Sequence, residues 1–159
     1  MAQREELLQQ IWRSQDTAYD LMVEYDSLPH RYGDNTLYQA EAHLIDLIAL
    51  HPDITITDIA NILRKTPSAC SQIVRKLRAK GWVDQFRNEE NNRIVNLRLT
   101  PEGEKVVQDH DAFERECQDA TFDTLSAFSD EELSTYLKVQ LRINQAYQED
   151  VRRSREYFR

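Results

Sequence analysis

The chain has 159 residues, 40% hydrophobic and 30% charged, which suits one globular domain with at most an appended arm. Its 3 glycines (Gly33, Gly81 and Gly103) lie too far apart for a phosphate-cradling loop, and its 2 cysteines are too few for a disulfide scaffold. No apolar run approaches the ~20 residues of a membrane span, and the low cysteine count makes a reducing cytoplasm the default expectation.

In chain order, Leu8, Ile11, Trp12, Tyr19, Met22 and Val23 recur at helical spacing and predict a helix over 3–26. The N-terminal stretch MAQREELLQQ reads as neither a signal peptide nor a basic anchor. Pro29 and the turn at Gly33–Asp34–Asn35 end the first helix. A second helix is expected near 36–50, with Leu37, Ala40, Leu44, Leu47 and Ile48 on one face. The β-branched run Ile54–Thr55–Ile56 suggests a short strand. Thr57 is the expected cap of a helix over 58–63. Thr66 followed by Pro67 opens the next helix, which runs to Ala79 and stops at Lys80–Gly81. Two β-type runs, 82–87 and 93–99, flank a five-residue polar tip, Asn88 to Asn92. Thr100–Pro101 opens a long helix with a stripe at Val106, His110, Phe113, Cys117 and Ala120. Ser129 starts a last helix carrying Leu133, Leu137, Leu141, Tyr147 and Val151.

The net charge of −8 argues against a nucleic-acid partner until its distribution is counted. Residues 1–60 carry −8, residues 61–100 carry +6, and residues 101–159 carry −6. The basic island coincides with a short helix, a turn, a second helix and a hairpin, which together spell a winged helix-turn-helix. In the second helix Cys70, Ile73, Val74 and Leu77 share an apolar side, while Ser68, Ser71, Gln72, Arg75 and Arg78 share the other. Gln pairs bidentately with adenine and Arg with guanine, so Pro67, Ser68, Ser71 and Gln72 are assigned to the DNA, with Arg75 and Lys76 on the backbone or a guanine. At the wing Arg87, Asn91, Asn92 and Arg93 are the candidate contacts, an arginine there being able to enter the minor groove. The plain alternatives are a solvated helix face and an ordinary polar turn.

From Ile56 to Gly103 the sequence resembles the MarR family of bacterial regulators. The resemblance rests on Thr57–Asp58–Ile59–Ala60, on Pro67 to Leu77, on Lys80–Gly81–Trp82–Val83, on Arg93, and on Leu99–Thr100–Pro101–Glu102–Gly103. It implies a mainly α fold with a small β-hairpin wing, and a homodimer bound to double-stranded palindromic DNA. The corresponding division is an N-terminal dimerisation helix (1–35), a winged helix-turn-helix lobe (36–104) and C-terminal dimerisation helices (105–159). One position departs from the pattern: the family's wing usually has an acidic residue two places before the tip arginine, and here it is Asn91. Dimerisation also follows from the residues themselves, because a small winged lobe cannot cover three long amphipathic helices. A monomeric helical bundle is the alternative.

The resemblance further implies a small-molecule effector, with Trp12, Tyr19, Tyr38 and His43 as candidate pocket residues; core and interface packing would use the same side chains. Glu24, His43 and His110, with Asp111 and Glu114 following, form a candidate zinc set on helices that meet in the family fold. No tight His-x₃-His or Cys-x₂-Cys pair accompanies them, so structural histidines are the competing reading. Cys70 and Cys117 fall on apolar stripes, where thiols are usually inert. No cofactor is required and no catalytic residue is assigned, since neither Gly-x-Ser-x-Gly nor His-Glu-x-x-His occurs. The expectation is a DNA-binding transcription regulator, a repressor rather than an enzyme. A winged helix that binds protein is the rival.

Overall fold

A computed structural model describes residues 2–158. In chain order they form α1 (Ala2–Ser27), β1 (His30–Tyr32), β2 (Asn35–Leu37), α2 (Gln39–Leu50), α3 (Ile56–Leu63), α4 (Pro67–Ala79), β3 (Val83–Arg87), β4 (Val95–Leu99), α5 (Pro101–Leu125) and α6 (Asp130–Tyr157). The fold is mainly helical with small antiparallel hairpins. The chain divides into two compact units, 1–113 and 114–159.

Local chemistry explains most boundaries. Thr66 accepts a hydrogen bond from the Ala69 N–H, and Pro67 occupies the first turn of α4, where its missing N–H costs nothing. Gly81 leaves α4 at φ +76°, a conformation suited to glycine. Ser129 and Glu132 cap α6 reciprocally.

Five expectations need correction. Thr55, not Thr57, caps α3: its hydroxyl accepts from the Asp58 N–H while the Asp58 carboxylate accepts from the Thr55 N–H and hydroxyl. The expected strand at 54–56 reduces to a single bridge, Thr55 with Asn96, and Ile56 is already helical. A hairpin, β1–β2, replaces the expected plain turn, with Gly33 at φ +60° in its connection and His30 opposite Leu37. Helix α2 therefore begins at Gln39 rather than 36. The wing tip is longer than five residues, because the last pair is Arg87 with Val95 and 88–94 lie beyond it.

The core lies within the first unit. Leu37, Leu44, Ile45, Ile48, Ile59, Val74, Leu77, Trp82, Leu97 and Val106 are its large buried members, with Cys70 among them. The Leu-Thr-x-x-Gly exit from the wing has a steric cause. Thr100 donates its hydroxyl to the Gly81 carbonyl, 2.6 Å away, and accepts from the Gly103 N–H. A Cβ on Gly103 would stand 2.0 Å from the Trp82 carbonyl oxygen, so only glycine lets α5 approach the wing base.

Candidate nucleic-acid interface

The two faces of α4 separate as the sequence spacing requires. Cys70, Val74 and Leu77 are buried, while Pro67, Ser68, Ser71, Gln72, Arg75 and Lys76 are exposed. Arg78 shares the polar side but donates to the Gln85 Oε1 at 2.8 Å, which ties α4 to β3. The end of α4 is fastened at Lys80. Its Nζ sits 2.6 Å from the Glu41 Oε2, 2.8 Å from the Thr36 carbonyl, and 4.6 Å from the Trp82 ring centroid. Glu41 is only 4% exposed and also accepts from the Tyr38 N–H, so its charge is paired and hydrogen-bonded as burial demands.

The wing carries Arg87, Asn91, Asn92 and Arg93, all exposed. Arg87 donates to the Asn92 carbonyl at 3.4 Å. Asn91, in the place where the family carries an acid, accepts from the Arg93 N–H at 3.1 Å, a contact to the backbone rather than to the guanidinium. Arg98 lies over the Phe86 ring at 4.9 Å and stiffens the hairpin stem.

The effector and metal candidates are placed differently. Trp12, Tyr19 and Tyr38 are exposed. His43 is exposed and bonded to Gln39 through its Nε2, and Glu24 is exposed one turn from the end of α1. His110, at 3% exposure, meets instead two residues that the sequence did not single out. Its Nδ1 lies 2.8 Å from the Tyr32 hydroxyl, and its ring centroid is 5.7 Å from that of His30. Phe113 and Tyr25 stack edge-on against His30, at 5.2 and 5.1 Å. His30 and His110 stand 80 positions apart in the chain, so no local spacing could have paired them. Cys70 is buried and Cys117 half-buried.

A helix, a turn, a second helix with an exposed polar face and a hairpin wing carrying the exposed Arg87 and Arg93 define a winged helix-turn-helix fold. Residues 37–95 match the MarR family model. Through this lobe the chain is similar to the MarR-family transcription regulators. Among relatives it is 26% identical, over 67% of its length and 73% of theirs, to the uncharacterized HTH-type transcriptional regulator YpoP of Bacillus subtilis. It is 26% identical to the HTH-type transcriptional regulator PchR of the same organism, over 60% of this chain and 57% of that one. The fold matches that of Streptococcus pneumoniae FabT, solved in complex with DNA, at TM-score 0.72 and 23% identity, covering 89% of this chain and 98% of that one. It also matches Lactococcus lactis ZitR, described as a zinc-responsive MarR family member, at TM-score 0.74 and 18% identity, covering 89% and 99%. The two Bacillus subtilis relatives are both named as transcriptional regulators.

Proposed function

We propose that the chain is a homodimeric, sequence-specific DNA-binding repressor that occupies a palindromic operator. Residues 36–104 serve as the DNA-binding lobe, and 1–35 and 105–159 as dimerisation helices. The observation that carries the reading is the outward face of α4, where Ser68, Ser71, Gln72, Arg75 and Lys76 are all exposed opposite a sealed apolar side. Ser71 and Gln72 read base edges, Arg75 and Lys76 grip phosphate or a guanine, and Arg87 and Arg93 take the flanking minor groove. Dimerisation is supported by the unspent apolar surface of α1 and α6, where Leu8, Trp12, Leu137 and Leu141 are each more than half exposed.

The test is a gel shift on promoter DNA next to the coding region, run across a salt series. Log affinity should fall linearly with log salt. Arg93→Ala should weaken binding to every sequence, and Gln72→Ala should change base preference by about 1–3 kcal/mol. An unchanged preferred sequence in Gln72→Ala removes the base-reading assignment. No binding at low salt favours the protein-binding alternative.

A second reading makes the effector a zinc ion, and it rests on His30 beside His110. With the His110 Nδ1 facing the Tyr32 hydroxyl, its Nε2 is the ring nitrogen turned to other partners, and His30 offers another imidazole. Imidazole nitrogens are donors zinc accepts. Zinc would change operator affinity in the unaltered protein and leave the His110→Ala affinity unchanged if this reading holds. An organic effector on Trp12, Tyr19, Tyr38 and His43 would instead leave the protein indifferent to zinc.

A further inference from the structure

Beyond its last ladder pair, the wing has little backbone of its own to fix it. Within 88–94 the Asn88 N–H donates to the Ile94 carbonyl and the Ile94 N–H donates to the Asn91 carbonyl. Side-chain amides supply the rest. The Asn88 Oδ1 accepts from the Glu90 N–H at 3.0 Å and from the Asn91 N–H at 3.1 Å, folding the tip back on the stem. The Asn88 Nδ2 donates to the Asn96 Oδ1 at 3.1 Å. Asn96, a polar side chain only 4% exposed on β4, passes its own Nδ2 donor to the Asp53 carbonyl. Asp53 sits in the turn between α2 and α3 at φ +67°, so this carbonyl is presented by an unusual backbone conformation.

We infer that Asn96 and Asn88 are positioning residues for DNA binding: a hydrogen-bonded relay from the Asp53 carbonyl to the wing tip that sets where Arg93 and Arg87 meet the duplex. The inference rests on the DNA-binding reading above. A buried amide with both ends engaged is held in one orientation, because turning it would leave a donor and an acceptor unpaired. The tip inherits that orientation through Asn88. Asn91 extends the chain by one link, accepting from the Arg93 N–H. The relay therefore fixes the backbone that carries Arg93, where an acidic residue at 91 would hold the guanidinium itself.

Two variants test it. In Asn88→Ser the hydroxyl still accepts from the tip N–H groups but is too short to reach Asn96. In Asn96→Ala the link to the Asp53 carbonyl is lost. Each should weaken operator binding about tenfold, the scale of one charge-assisted phosphate contact. The log–log salt slope should fall by about one. Hydroxyl-radical footprints should lose the outer minor-groove protection and keep the central major-groove protection. The double variant should lose no more than either single, as members of one relay must. Asn88→Ser, being half-buried, should melt close to the unaltered protein, which separates wing placement from general destabilisation. Wild-type affinity, slope and footprint in Asn88→Ser would overturn the inference. An unaltered protein that binds no duplex would overturn the DNA-binding reading, and this one with it.

Discussion

The winged lobe and the terminal helices solve opposite problems. Every buried apolar residue of the core falls between Leu37 and Val106. Helices α1 and α6, of 26 and 28 residues, bury none of theirs. The lobe is finished by its own packing, with paired charges and capped helices. The long helices retain apolar side chains, such as Met22 and Tyr136, that gain from a further surface. Substitutions in the lobe should therefore act through packing and at any protein concentration, whereas those in the helices should act weakly on the single chain.

The sharpest way to break that contrast is Gly103→Ala. The added carbon would clash with the Trp82 backbone, which cannot move without disturbing the buried indole and the Thr100–Gly81 bond. We expect a loss of about 3 kcal/mol or more, read as a lower urea midpoint with an unchanged slope. A midpoint within experimental error of the unaltered protein would show that the lobe is looser than its packing indicates.

Next comes Lys80→Met, which leaves the buried Glu41 carboxylate with the Tyr38 N–H but no cation. Breaking a fully buried pair costs about 3–5 kcal/mol; here the lysine side chain is 30% exposed and water can compensate, so about 2 kcal/mol is expected. The double variant Lys80→Met/Glu41→Gln should recover part of the loss in the same urea titration. No recovery would mean that the cost lies in the ammonium's contacts with the Thr36 carbonyl and the Trp82 ring, not in its pairing with Glu41.

The two regions also differed in what their sequences disclosed. Thr66–Pro67 and Ser129–Glu132 announce their helices because cap chemistry is local, and the faces of α4 follow from spacing alone. Thr55 was hidden by its β-branched neighbours: Ile54–Thr55–Ile56 has strand propensity, and only the reach of Asp58 back to Thr55 tips it to a helix start. Hairpin β1–β2 has three-residue strands, too short for any alternation to register. The pairing of His30 with His110, the fastening of Lys80 to Glu41 and the Asn88–Asn96–Asp53 relay join residues up to 80 positions apart, and nothing in a linear pattern marks them.

The smallest effect belongs to the exposed end of α6. Arg152 bonds Glu149 and Glu156, and Arg153 lies 3.4 Å from Glu149. The hydrogen bond from Arg152 holds the Glu149 carboxyl down at about 2, and the Ser129 N–H and hydroxyl lower that of Glu132 at the other end of the helix. A folded-state value below the ordinary 4.5 means the stabilisation is fully present above about pH 4.5 and is lost as pH falls toward 2. Asp58, lowered by its bonds to Thr55, gives the lobe the same sign, so acid alone does not separate the regions. The difference between the unaltered protein and Glu149→Gln does. Helical circular dichroism should decline between pH 5 and pH 2 slightly less steeply in Glu149→Gln, and 1 M salt should erase that difference, because exposed ion pairs are screened. A difference that survives high salt would place the Arg152 cluster in a sheltered environment and give α6 a stabilising contact of its own.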